Sequence, residues 1–128
     1  ATTEIYTLSL HDALPIYVFT ALDAGIDVKG IAHITGGGLV ENIPRILPDG
    51  CGLDIKKGSW PILPVFDVMQ SLGDVEEDEM FRAFNMGIGM VFIVSPSDVD
   101  SIKDVLKDQA GVFEIGVVVS GNNRVVIK

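Results

Sequence analysis

Three consecutive glycines, Gly36, Gly37 and Gly38, follow an apolar stretch that ends in His33, Ile34 and Thr35. Glycine accepts positive φ and lets another group approach the bare backbone. Where such a turn leads from a strand into a helix, successive amide N–H groups can converge on an anion. Nearby side chains suit the same chemistry. Thr35 offers a hydroxyl, Arg45 a planar cation matched to phosphate or carboxylate, and His33 a ring donor at the strand's end. Spacing excludes two nucleotide motifs. No Gly-Lys-Ser/Thr follows the glycines, so this is not a P-loop. GGGLVEN also lacks the spaced glycines of a dinucleotide fingerprint. By composition alone the segment fits a tight strand-to-helix turn equally well.

A second glycine segment, NMGIGM, runs from Asn85 to Met90. Asn85 can donate and accept hydrogen bonds, and Gly87 and Gly89 expose backbone. Alone it reads as a helix cap followed by a bulge. Two such segments in one small domain suggest a shared groove, with Met86, Ile88 and Met90 assigned to the core. Glu41 reads as fixing the first loop rather than as a base.

These residues need elements to hold them. Tyr17 to Ala24 reads as a helix ending at Gly25, and Val28 to Thr35 as a strand. Leu39 to Leu47 is helical in pattern, but Pro44 disfavours helical backbone at Ile43, so this helix is short, kinked or split. Pro48, Asp49 and Gly50 mark a turn before a short strand, Gly52 to Lys56. Pro64 to Leu72 reads as a helix with proline in its first turn and Gly73 just past its end. Glu76 to Phe84 reads as a helix with Met80, Phe81 and Phe84 on one face. Gly89 to Ser95 is a buried strand. Ser97 is expected to cap a helix from Asp98 to Gln109 with an apolar stripe of Val99, Ile102, Val105 and Leu106. Phe113 to Val119 and Arg124 to Ile127 read as a hairpin around Gly121, Asn122 and Asn123. Alternating strands and helices imply an α/β (α+β) fold, a mixed sheet covered by helices.

The gross properties limit function. The chain has 128 residues and a formal net charge of −9, which disfavours nucleic-acid partners. No apolar run reaches the roughly 20 residues that span a bilayer. The single cysteine, Cys51, has no intrachain disulfide partner and fits a reducing, cytoplasmic setting. The acids Asp74, Glu76, Glu77, Asp78 and Glu79 are read as a helix start favoured by its dipole, and no residue is assigned to a metal. Residues 1–15 do not match the rest of the chain in character. They lack the pattern of a secretory signal and resemble translated sequencing-adapter read-through. They are read as a non-homologous leader, and His11 and Asp12 are left out of the functional argument. The domain is then 16–128.

HITGGGLVENIPR, His33 to Arg45, and RAFNMGIGM, Arg82 to Met90, together resemble the two signature stretches of the C-terminal domain of aminoimidazole ribonucleotide synthetases. PDGCGLDI, the segment from Trp60 to Leu72, and Gly116-Val117 fit the same family in order and spacing. Ala83 departs from it, where threonine is usual. The resemblance implies a three-layer α/β/α domain, incomplete at its start. It also implies an ATP- and Mg2+-dependent ring closure that converts formylglycinamidine ribonucleotide to aminoimidazole ribonucleotide. It makes Thr35, Gly36, Gly37, Gly38, Asn42, Arg45, Asn85, Gly87 and Gly89 candidate substrate or phosphate contacts, and His33 the catalytic candidate. It further implies a missing N-terminal ATP-binding domain and a homodimeric, cytoplasmic full-length enzyme. Two alternatives stand beside it. One is a sibling ATP-dependent enzyme such as formylglycinamidine ribonucleotide synthetase, selenophosphate synthetase, a hydrogenase maturation protein or thiamine monophosphate kinase. The other is a non-catalytic anion-binding module.

Overall fold

The computed structural model describes residues 3–8, 14–108 and 111–128. Among these, six strands form one sheet: β1 (Thr3–Leu8), β2 (Val28–His33), β3 (Cys51–Ile55), β4 (Met90–Val94), β5 (Gly111–Ser120) and β6 (Val125–Ile127). Their order is β2-β4-β1-β5-β3-β6. Neighbours are antiparallel except β3 and β6, which are parallel. The sheet is therefore mixed, as the pattern implied.

Helices lie on both faces. On one face α1 (Leu14–Asp23) and α5 (Val99–Leu106) join Met90, Phe92 and Val94 of β4 in one core, built on Ala21, Ile102 and Leu106. On the other, Val91 and Ile93 meet α2 (Gly38–Asn42), the 3₁₀ turn Ile43–Ile46 and α4 (Glu77–Ala83). Strand side chains alternate between faces, so a strand covered on both sides must be apolar throughout. All five residues of β4 are buried, which is why it reads as an uninterrupted apolar run. The remaining helix, α3 (Pro64–Gly73), has no buried residue. It rests on α4 through Phe66, whose ring is 6.2 Å from that of Phe84.

Several expectations hold. The Leu39–Leu47 segment splits before Pro44 into α2 and the 3₁₀ turn. Met80 and Phe81 are buried on α4, Phe84 packs against the same core, and Glu77, Asp78 and Glu79 occupy the first turn of α4. Val99, Ile102 and Leu106 are buried on α5, with Val105 packed beside them.

Others are corrected. Phe113–Val119 and Arg124–Ile127 do not pair as a hairpin, because β3 lies between β5 and β6. The connecting residues cross the start of β3, with the Gly121 amide on Gly50 O (2.9 Å) and the Asn123 amide on Cys51 O (2.7 Å). Gly52 permits this crossing, since a Cβ there would sit 3.1 Å from Arg124 O and 3.5 Å from Gly121 Cα. Ser97 does not cap α5. It lies inside a 3₁₀ turn, Pro96–Asp98, and Asp98 takes the cap position without a side-chain bond. Gln109, the expected end of that helix, lies outside the described residues. Past α3 the left-handed residue is Asp74 (φ 49), whose amide bonds Gln70 O. Gly73 instead gives room to Val75, whose Cγ2 would be 3.0 Å from a Cβ.

Thr3–Leu8, part of the stretch read as a leader, runs between β4 and β5 and pairs with both. His11 and Asp12 lie outside the described residues.

Candidate functional site

The triple-glycine turn connects β2 to α2. Its three glycines have three different jobs. Gly38 (φ +58) packs under the C-terminal end of α4: a Cβ would overlap the Phe81 carbonyl oxygen and sit 2.6 Å from that of Phe84. Gly37 (φ +99) faces Glu41, whose Oε2 would be 2.8 Å from a Cβ. At Gly36 a Cβ would meet nothing within 4 Å. Only Gly36 therefore has open space in front of its backbone, and the other two are glycine for conformational and packing reasons.

Asn42 holds the turn from beneath. It is 5% exposed, and its Nδ2 donates to Gly38 O at 2.8 Å and to Thr35 O and Gly36 O, each at 3.3 Å. Its Oδ1 accepts from Thr35 Oγ1 at 3.3 Å. A buried amide needs such partners to offset the loss of water. With its groups engaged this way, Asn42 braces the loop from beneath.

Within the turn the Gly38 amide bonds Thr35 O (3.0 Å) and the Glu41 amide bonds Gly37 O (3.1 Å). The amides of Gly36 and Gly37 have no acceptor among the described residues. The unpaired N–H groups, that of Gly36 beside open space and that of Gly37 beside Glu41, can receive an anionic oxygen. The Glu41 carboxylate opposes this on the Gly37 side, and the nearest cation, Arg82 Nε, is 3.9 Å from it, a long ion pair between exposed groups. An anion is thus favoured at the Gly36 end.

The sheet brings the second glycine segment alongside. His33 is in register with Met90, and the Ile34 amide donates to Gly89 O at 2.9 Å. Asn85 Oδ1 accepts from the Gly87 amide at 2.9 Å, a local turn that carries Met86 at φ 51 and Gly87 at φ 94. Trp60 fastens this turn from outside: Nε1 donates to Met86 O at 3.0 Å, and its ring meets Phe81 edge-on at 6.3 Å. Trp60 is 4% exposed. Its role was invisible in the sequence, where it is separated from Met86 by 26 residues. Met86, Ile88 and Met90 are buried, as expected.

Two candidates stand apart from this knot. His33 is exposed at the end of β2, beside the turn. Arg45 is exposed on the 3₁₀ turn after α2 and makes no ion pair or hydrogen bond among the described residues. Two surface grooves, of about 510 and 390 Å³, are lined by other segments and not by Thr35, Gly36, Gly37 or Gly38. Thr35 and Gly36 are exposed, so the turn presents an open face at that end. No described helix is long and apolar enough to cross a membrane.

Residues 9–128 match the family described as AIR synthase related protein, C-terminal domain. The chain is 53% identical over 95 residues to the phosphoribosylformylglycinamidine cyclo-ligase of Geobacillus thermodenitrificans, covering 73% of this chain and 28% of that protein. It is 48% identical over 136 residues to the cyclo-ligase of Caldicellulosiruptor saccharolyticus, covering 98% and 40%. The chain thus spans well under half the length of these relatives. The fold is similar to that of Escherichia coli HypE, a hydrogenase maturation protein, with a TM-score of 0.72 at 20% identity, covering 98% of this chain and 45% of HypE.

Proposed function

The chain belongs to the family of AIR synthase related proteins, whose C-terminal domain it carries, and we propose that it works as part of a phosphoribosylformylglycinamidine cyclo-ligase. The reaction is the ATP-dependent closure of formylglycinamidine ribonucleotide to aminoimidazole ribonucleotide. ATP activates the formyl oxygen as a leaving group, and a nitrogen of the same substrate attacks that carbon. The observation that carries this reading is the open face at Gly36, with two unpaired amides held in place by Asn42. It suits a phosphate or phosphoryl oxygen of the ribonucleotide, because preorganised amides need no rearrangement as charge arrives. In this reading His33, exposed at the end of β2 that leads into the turn, donates a proton or hydrogen bond to that ligand.

The same reading includes ATP and Mg2+, a homodimer of the longer polypeptide and a cytoplasmic setting. The described residues do not fit the metal: no group of three His, Cys, Asp or Glu side chains converges among them. In this reading the ligands of Mg2+ belong to the N-terminal domain. A sibling activity is disfavoured because relatives at about half identity are named as the cyclo-ligase, whereas the likeness to HypE extends to the fold alone.

Two measurements test the proposal. In a complete cyclo-ligase containing these residues, Gly36→Ala should raise KM for the ribonucleotide at least tenfold without loss of folded protein. An unchanged KM would remove the turn from the site. The 128-residue chain supplied with ATP, Mg2+ and formylglycinamidine ribonucleotide should yield no aminoimidazole ribonucleotide. Turnover at the level of an intact enzyme would place the whole reaction within this chain.

A further inference from the structure

Among the described residues, strand β6 pairs on one side only, with β3. The Leu53 amide donates to Arg124 O (2.8 Å), the Lys128 amide to Ile55 O (2.9 Å) and the Lys57 amide to Lys128 O (2.8 Å). In a parallel ladder alternate residues turn their backbone groups to the same neighbour. Since Arg124 and Lys128 face β3, the N–H and C=O groups of Val125 and Ile127 face away from it. Along that free edge runs the groove of about 510 Å³. Its floor is apolar, from Val40 of α2, Phe81 of α4, and Val125 and Ile127. Arg82 and Arg124 flank it, two of the chain's three arginines. Arg82 is held only by the 3.9 Å approach to Glu41, and Arg124 has no ion pair among the described residues. One carboxylate, Asp78, also lines the groove.

We infer that this groove receives an extended peptide segment bearing an acidic side chain. A small anion would use the arginines but leave the apolar floor and the open strand edge unsatisfied. An added strand uses all three. Its backbone pairs with Val125 and Ile127, and its side chains alternate between the apolar floor, beside Arg82 of α4, and the opposite face of the sheet, which Arg124 shares. In a chain of net charge −9, local arginines are what admit an acidic segment at all.

The probe is a capped Val-Glu-Val-Glu-Val pentapeptide titrated into the isotope-labelled 128-residue chain and followed by NMR. Binding should shift the amides of residues 124–127 and slow hydrogen exchange at Val125 and Ile127. Arg124→Gln should weaken binding at least tenfold. So should Ile127→Pro, which removes an N–H on the free edge while leaving those that face β3; circular dichroism reports whether the sheet survives. Should Ile127→Pro fail to fold, a peptide N-methylated at alternate amides reads the same pairing from the other side and should bind at least tenfold more weakly. Any of three results would overturn the inference: no shifts at these residues, equal binding of the N-methylated peptide, or the same shifts produced by inorganic phosphate alone.

Discussion

Replacing the three glycines one at a time with alanine should give three different outcomes, although all three occupy one turn. At Gly38 the new Cβ overlaps the Phe81 carbonyl oxygen and lies 2.6 Å from that of Phe84. Both are backbone atoms at the end of α4, so neither can rotate away, and α2 must move off α4. The left-handed conformation (φ +58) adds about 1–2 kcal/mol for any residue with a Cβ. Displacing a packed element typically adds about 1–3 kcal/mol. Gly38→Ala should therefore destabilise by roughly 2–5 kcal/mol, a fall in Tm on the order of 10 °C for a domain of this size. Gly37→Ala carries the same conformational penalty and also meets Glu41, whose carboxylate can rotate away but whose Cβ, 2.9 Å from the new methyl, moves only with the backbone of α2, so about 2–3 kcal/mol is expected. Gly36→Ala meets no atom and has no positive φ. It should leave stability unchanged or raise it by about 0.4–1 kcal/mol through the unfolded chain. Urea denaturation monitored by circular dichroism would rank the variants. A Gly38→Ala protein as stable as Gly36→Ala would refute the packing of α2 on α4, and with it the division of labour within the turn.

Deleting residues 1–8 should lower Tm clearly, because it strips the hydrogen-bonding partner from one edge each of β4 and β5; an unchanged thermal midpoint would mark this stretch as foreign to the domain. Trp60→Phe should cost about 1–2 kcal/mol, since the buried Met86 carbonyl loses its donor, and equal urea midpoints would argue against that bond.

Much of this domain follows from local rules. The uninterrupted apolar run at β4, the apolar stripe of α5 and the proline that divides α2 from the following turn are one-dimensional patterns with direct physical causes, and each appears where the pattern puts it. The glycine turn was legible for the same reason, because glycine marks backbone that other residues avoid. Longer-range facts were not. Gly121 to Asn123 look like a hairpin turn because residues near in sequence usually pair, yet β3, some 70 residues earlier, takes the place between β5 and β6. Nor does spacing reveal that Asn42 turns inward beneath the loop, that Trp60 reaches Met86, or that only one of three identical glycines faces open space. Those outcomes depend on which atoms of α4 and β4 stand opposite the turn. Close packing of distant segments settles that, and it leaves no periodic trace in the chain.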